Sequence, residues 1–106
     1  ISTTPLPKDL PYEEAKVFLE LYKVKYGEYP GSIWTVMAYD GAQILFEGIR
    51  KAGSTDPVKV ADAIRAIKDF PGVTGPIIGF DEKGDRIGTT HTMYVIDENG
   101  EFVPYE

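Results

Sequence analysis

The chain has 106 residues, of which 42% are hydrophobic and 26% are charged, a balance that favours one folded globular domain, or part of one, over intrinsic disorder. Its formal net charge of −6 disfavours general binding to nucleic acid, because an acidic surface repels phosphate. The lack of cysteine excludes a disulfide framework, a zinc–thiolate site and a cysteine nucleophile.

The first ten residues are predicted to form an extended linker arm. Pro5, Pro7 and Pro11 disfavour a helix there, because proline removes a backbone donor and restricts the residue before it. The chain starts at Ile1 rather than at an initiator methionine. We therefore expect it to be a piece of a longer polypeptide.

A first helix is predicted over 11–26. Glu13 and Glu14 complement the helix dipole in its first turn, and Gly27 ends it. The apolar residues at helical spacing are Ala15, Phe18, Leu19, Tyr22 and Tyr26.

A second helix is predicted over 33–52, with Ser32 as its N-terminal cap and Gly53 just beyond its end. Its apolar residues cover more than one face, so we expect it to be buried between layers. Gly41 costs about 1 kcal/mol relative to alanine in a helix interior, and a close contact at that position would explain it. A third, amphipathic helix is predicted over 57–68, capped by Asp56.

The last third of the chain has the pattern of strands. An edge or bulged strand is predicted over 73–80, interrupted by Pro76, which cannot donate to a ladder. A turn at 81–85 follows, and then a strand over 91–97. Asn99-Gly100 predicts a hairpin that returns as a strand over 101–105. The sequence thus predicts an α/β chain with an arm (1–10), a helical part (11–68) and strands with a C-terminal hairpin (72–106).

No constellation of catalytic residues is visible, and no cofactor or metal site is predicted. His91 is the one histidine, and an ordinary strand residue explains it better than a metal ligand does. The acidic turns 81–85 and 97–101 lack the ligand spacing of a calcium loop, so hydrophilic turns explain them. Nothing encloses Glu13 with Glu14, or the two aspartates of the first acidic turn, as an acid/base pair.

Aromatic residues cluster around the start of the second helix, at Tyr26, Tyr29, Trp34 and Tyr39. Such side chains can line a ligand cleft beside free helix N–H groups that favour a carboxylate, although core packing is the simpler reading. Asp40 is the one candidate for a buried carboxylate. It could cap a neighbouring loop or pair with a cation, and the structural role is the favoured one.

Five blocks in order resemble one known family. They are YKVKYG (22–27) with Pro30, AYDGA (38–42), KAGSTDP (51–57), GVTGPI (72–77) and FDEKGDR (80–86). Together they resemble the C-terminal part of type I periplasmic solute-binding proteins, in the leucine/isoleucine/valine-binding branch. The resemblance implies a fold of two α/β lobes joined by hinge strands, with ligand held in the cleft between the lobes. The helices would belong mainly to one lobe, and the final hairpin would return to the other.

By the same resemblance, the segment 32–34 reaches the cleft, and the expected ligand-binding residues are Ser32, Trp34 and Tyr39. The implied function is the extracytoplasmic solute-binding component of an ABC importer, located in the periplasm or at the cell surface. Its ligand would be an amino acid or a similar small polar molecule, its partners the transporter's membrane subunits, and it would not be an enzyme. The alternatives are a ligand-sensing domain of a receptor or regulator with the same fold, or a free-standing domain that oligomerises. An isolated piece is also expected to dimerise through the apolar helix 33–52.

Overall fold

The computed structural model describes residues 2–3, 5–89 and 91–106. Its three helices are α1 (Glu13–Tyr26), α2 (Ile33–Ala52) and α3 (Pro57–Arg65), and a 3₁₀ turn at Pro7–Asp9 precedes them. The strands are β1 (Ser2–Thr3), β2 (Phe70–Gly72), β3 (Gly75–Ile77), β4 (Thr92–Ile96) and β5 (Phe102–Pro104). The predicted α/β order of three helices followed by strands and a hairpin is confirmed, with β1 as an additional strand before the helices.

Local capping chemistry explains where α2 and α3 begin. The Ser32 side chain accepts a hydrogen bond of 3.2 Å from the backbone N–H of Trp34. The Asp56 carboxylate accepts one of 3.0 Å from the N–H of Lys59. Gly53, at φ 59°, ends α2 in the left-handed conformation that glycine adopts without a steric penalty. Both bounds of α2 agree with the sequence prediction.

The third helix ends at Arg65, three residues earlier than predicted. The N–H of Ile67 donates to the carbonyl of Ile64, a tighter bond than the helical pattern. Ile67 itself is 1% exposed and packs with Ile44 and Ile77 in one of two apolar clusters. The chain leaves the helix so that this side chain can enter the cluster.

The strand predicted over 73–80 is confirmed only at Gly75–Ile77, which forms the edge strand β3. Residues 70–77 form the antiparallel hairpin β2–β3, in which Gly72 pairs with Gly75 and Pro71 with Pro76. The two prolines face each other in a two-stranded sheet, where a missing N–H costs little. The chain reverses at Val73 and Thr74, and Gly75 follows at φ 106°, so the turn lies within the segment that is predicted to be extended.

The two acidic turns are built in the same way. The Asp81 carboxylate accepts two backbone bonds of 2.9 Å at 81–85, and the Asp97 carboxylate does the same at 97–101. Gly84 and Gly100 occupy the left-handed position in each turn. The N–H of Glu101 is the main reason why the pKa of Asp97 lies below its ordinary value. Hydrophilic turns are thereby confirmed, and the described residues contain no group of three side chains suited to a metal ion.

Only one stripe of α2 is buried, which differs from the expectation of burial on several sides. Val36, Asp40, Ile44 and Gly48 follow one another at four-residue spacing and face the rest of the chain. The opposite faces are apolar yet open, and Phe46 is 60% exposed. The radius of gyration of 15.9 Å also exceeds the value of about 13 Å for a compact domain of this length. Within the described residues, no helix has the length and hydropathy to span a membrane.

The N-terminal arm is more structured than predicted. β1 pairs antiparallel with β4, and β4 pairs with β5, so that a three-stranded sheet brings the two ends of the chain together. The hydroxyl of Tyr94, in β4, donates to the Asp9 carboxylate at 2.8 Å and accepts from the N–H of Leu6 at 3.0 Å. Burial is the main reason why the pKa of Tyr94 lies above its ordinary value of 10.0.

Two glycines of α2 should respond oppositely to alanine substitution. A Cβ at Gly48 would lie 2.5 Å from Cγ1 of Ile64, whereas no described atom lies within 4 Å of a Cβ at Gly41. The close contact expected at Gly41 is therefore found at Gly48. We expect Gly48→Ala to lower the free energy of unfolding by about 1–3 kcal/mol through overpacking. Gly41→Ala should raise it by about 0.5–1 kcal/mol through helix propensity. Urea unfolding of both variants is the measurement, and equal effects would contradict this account of the α2–α3 contact.

The raised pKa of Tyr94 predicts a loss of stability at high pH. The folded chain holds the phenolic proton more tightly than the unfolded chain, so this stabilisation is complete below pH 10.0. It is lost as the pH rises through the folded pKa. We expect the free energy of unfolding to fall as the pH rises above 10.0. The fall should be smaller in Tyr94→Phe and unchanged in Tyr105→Phe, whose ring is exposed. Parallel pH profiles for the parent chain and Tyr94→Phe would contradict the prediction.

Candidate functional site

Asp40 is the one charged residue that is buried among the described residues, with 4% of its surface exposed. It lies in the middle of α2 and accepts hydrogen bonds from the N–H of Val73 at 2.8 Å and the N–H of Thr74 at 2.9 Å. The hydroxyl of Thr74 donates a third bond to it. A buried charge is stable only when donors surround it, and here the turn between β2 and β3 supplies them. The sequence prediction that Asp40 caps a neighbouring loop is confirmed.

Arg86 completes this network from the other side of the turn. Its Nη1 donates to the hydroxyl of Thr74 at 2.6 Å, so Thr74 links the guanidinium to the Asp40 carboxylate. Its Nη2 donates to the carbonyl oxygen of Gly75 at 2.9 Å, with longer bonds to the carbonyls of Pro76 and Thr74. The buried Nε has no hydrogen-bond partner among the described atoms. Together, these bonds lock the β2–β3 turn onto α2.

Glycine is required at the closest approach of this turn to α2. A Cβ at Gly72 would lie 2.7 Å from the carbonyl oxygen of Gly75 and 2.9 Å from an oxygen of Asp40. Any larger side chain would push the turn away from the carboxylate. Gly72, Thr74 and Arg86 belong to the blocks GVTGPI and FDEKGDR, and the sequence alone predicts no role for them. The sequence signal for this network is the short spacing between GVTGP and FDEKGDR. That spacing does not indicate that Asp40 is the residue to which the turn binds.

A large groove lies between α1, α2 and β2, with a volume of about 830 Å³. Aromatic rings line much of it. Tyr39 packs against Phe18, with ring centroids 4.7 Å apart, and Tyr22 packs against Tyr26 at 4.5 Å. Glu13 and Glu14 lie at the α1 N-terminal end of this groove and Lys25 near the other end. Tyr39 is therefore part of an aromatic wall rather than of the closed core.

The three predicted ligand-binding residues do not lie together. Ser32 caps α2, and Trp34, in the first turn, is 71% exposed. Tyr39 follows five residues later, which is about 140° further around the helix, and it faces the groove with Phe18. Ser32 and Trp34 do not line that groove. The structure thus joins Ser32 with Trp34 and separates both from Tyr39.

No acid/base or nucleophilic constellation forms among the described residues. Glu13 and Glu14 are exposed on the first turn of α1, and Asp81 and Asp85 are exposed on a turn. His91 is also exposed and lies just before β4 rather than within it, so its predicted place in a strand is wrong by one residue. All of these side chains are exposed, so none of them lies in an enclosed site.

Comparison with known families identifies the class of protein that this arrangement represents. The model of the periplasmic binding protein family matches residues 1–101. The chain belongs to this family, whose members bind solutes. The resemblance seen in the five sequence blocks is confirmed.

Individual relatives agree with this assignment. The chain is 40% identical over 79 residues to the leucine-, isoleucine-, valine-, threonine- and alanine-binding protein of Pseudomonas aeruginosa, which covers 74% of this chain and 20% of that protein. A leucine-binding protein structure from Thermotoga maritima matches 99% of this chain and 29% of its own, with 33% identity and a TM-score of 0.80. An ABC transporter substrate-binding protein from Desulfitobacterium hafniense matches 98% of this chain and 30% of its own, with 26% identity and a TM-score of 0.82. The chain thus spans between a fifth and a third of the length of these relatives.

Removing the charge at Asp40 should destabilise the chain more than removing an exposed carboxylate. In Asp40→Asn, the amide keeps one oxygen acceptor, but its NH2 group would face either the N–H of Val73 or the N–H of Thr74, leaving a buried donor unpaired. We expect the free energy of unfolding to fall by about 3 kcal/mol. Asp62→Asn, which removes one charge of an exposed pair with Arg65, should change it by less than about 0.5 kcal/mol.

Thr74→Val provides a graded test where Asp40→Asn does not fold. It keeps the backbone bonds to Asp40 but removes the hydroxyl that Arg86 contacts. We expect a loss of about 1–2 kcal/mol and faster hydrogen exchange at the Val73 and Thr74 amides. Unchanged exchange in both variants would show that Asp40 does not hold the turn.

Proposed function

We propose that this chain is part of the extracytoplasmic solute-binding component of an ABC importer, and that the ligand is an amino acid or a similar small polar molecule. The observation that carries the proposal is Trp34, a large aromatic side chain left 71% exposed at the capped N-terminus of α2. A core residue would be covered, and a lone tryptophan of this exposure is typical of a contact surface. The relatives support the ligand class, since their names describe binding of leucine and other small amino acids.

The N-terminus of α2 suits recognition of an amino acid. The first N–H groups of a helix carry a partial positive charge, which favours the ligand's carboxylate. Trp34 would cover the apolar side chain of the ligand. The Ser32 hydroxyl, which already accepts a bond from the N–H of Trp34, retains a proton to donate. Tyr39 stays a prediction as a ligand contact, and its position in the groove favours a role in packing.

The mechanism that we propose is a population shift. A ligand that contacts both lobes only when the cleft is closed stabilises the closed state by its differential affinity. The transporter's membrane subunits would then recognise the closed form. This role places the protein in the periplasm or at the cell surface and requires no catalysis. Self-association of the isolated chain through helix 33–52 stays a prediction, in keeping with the open apolar faces of α2.

Binding should require the rest of a two-lobed protein. In this proposal, the chain alone supplies only one side of the cleft, so calorimetry with leucine should show no binding at micromolar concentration. Grafting the chain in place of the matching segment of the Thermotoga maritima leucine-binding protein should restore binding of an amino acid. A graft that folds but binds no amino acid would contradict the proposal, as would micromolar leucine binding by the isolated chain.

Trp34 can be tested in the same graft. It is the one tryptophan of this chain, so its fluorescence reports on its own surroundings in a graft whose other tryptophans are replaced. Ligand should change the emission of Trp34, and Trp34→Ala should raise the Kd about 30-fold, the scale of an interface hot spot. Tyr105→Ala, which removes an exposed ring beyond β5, is the matched control and should leave the Kd unchanged. Equal affinities of the Trp34→Ala graft and its parent would remove Trp34 from the site.

A further inference from the structure

The hydroxyl of Tyr94 joins the three-stranded sheet to the helical part of the chain. Tyr94 lies in the middle of β4 and is 1% exposed, the deepest described position of that sheet. Its hydroxyl contacts the 3₁₀ turn that leads into α1. It accepts a bond from the N–H of Leu6, at the start of the turn, and donates one to Asp9, at its end. One phenol thus holds both ends of the turn.

Further contacts extend from this point into both parts of the chain. On the sheet side, the Tyr94 ring meets Phe102 of β5 edge to face, with centroids 6.4 Å apart. On the helical side, the 3₁₀ turn is followed by Leu10, whose N–H donates to the carbonyl of Pro7. Leu10 packs with Ala15 and other residues in the apolar cluster beneath α2. A displacement of Tyr94 would therefore move the 3₁₀ turn and Leu10, the residue that anchors this turn in the apolar cluster.

The position of this contact gives it mechanical importance. The chain passes between the sheet and the helices twice, once after β1 and once before β4. Among the described residues, the β1–β4 ladder pairs Ser2 with Met93 and Thr3 with Thr92. The two hydrogen bonds of Tyr94 add a fixed link across the same junction.

We propose that Tyr94 and Asp9 are positioning residues that set the orientation of the β1–β4–β5 sheet relative to the helices. We name the pair, with the Leu6 N–H, the Tyr94 clasp. One consequence rests on the proposed function. If the chain is part of a two-lobed binding protein, the sheet leads into the second lobe, and the Tyr94 clasp acts on the angle between the lobes. The orientation itself can be measured without any ligand.

The absence of cysteine allows a direct measurement of this orientation. Cysteines introduced at Glu98, in the exposed turn before β5, and at Lys59, on the exposed side of α3, take spin labels at two defined positions. Double electron–electron resonance then gives the distribution of distances between the sheet and the helices. In Tyr94→Phe, we expect the population outside the parent distance range to increase about fivefold, the effect of losing one net hydrogen bond.

Matched variants separate a positioning role from a purely structural one. Asp9→Asn keeps an oxygen that accepts from Tyr94 and should preserve the parent distribution, whereas Asp9→Ala should broaden it as Tyr94→Phe does. Tyr105→Phe removes an exposed hydroxyl and should change nothing. Variants that lower the melting temperature but keep the parent distances would overturn the proposal. Where Tyr94→Phe does not fold, the comparison of Asp9→Ala with Asp9→Asn decides.

The outcome is separable from that of the proposed function. Distances are read on the chain without ligand, whereas amino-acid binding is read on the graft. A broadened distribution together with a graft that binds nothing would keep the clasp and reject the solute-binding role. Unchanged distances in the chain, together with a graft that binds leucine, would reject the clasp and keep the solute-binding role.

Discussion

Burying a carboxylate costs several kcal/mol unless hydrogen-bond donors surround it. The Asp40 carboxylate, in the middle of α2, has such donors only when the β2–β3 turn lies against that helix. The N–H groups of Val73 and Thr74 and the Thr74 hydroxyl supply those donors. The Arg86 guanidinium holds the same turn by donating to the carbonyl oxygen of Gly75. The charge thus specifies one docking of the hairpin, because a shifted turn would leave both the carboxylate and the amides unpaired.

The described chain keeps apolar faces open that a self-sufficient domain of this size would cover. One stripe of α2 is buried, while Trp34, Leu45 and Phe46 on its other faces are exposed. The relatives that share this architecture are three to five times longer than the region they match. In the proposed two-lobed protein, the parts of the lobes that lie outside this chain would cover most of these apolar faces. Trp34 would stay accessible to the ligand.

Elements with strong local chemistry could be predicted closely. The bounds of α2 follow from Ser32 and Gly53, and the C-terminal hairpin follows from Asn99-Gly100, because each signal acts within a few residues. The β2–β3 hairpin was missed because its turn residues, Val73 and Thr74, lack the glycine or asparagine that marks a two-residue hairpin turn. The close contact was assigned to Gly41 rather than Gly48, since only the position of Ile64 distinguishes the two glycines.

The sequence by itself determined the presence of three helices, the N-terminal caps of α2 and α3, the acidic turns and the family, because these depend on neighbouring residues and on ordered motifs. It also singled out Asp40 as a buried carboxylate, but not the atoms that it binds. Only the tertiary structure decided that Asp40 meets a turn 33 residues away, that Tyr94 meets Asp9 across 85 residues, and that Tyr39 faces away from Trp34. Such pairs form when packed elements bring distant polar groups within hydrogen-bond reach, and no local pattern encodes that distance.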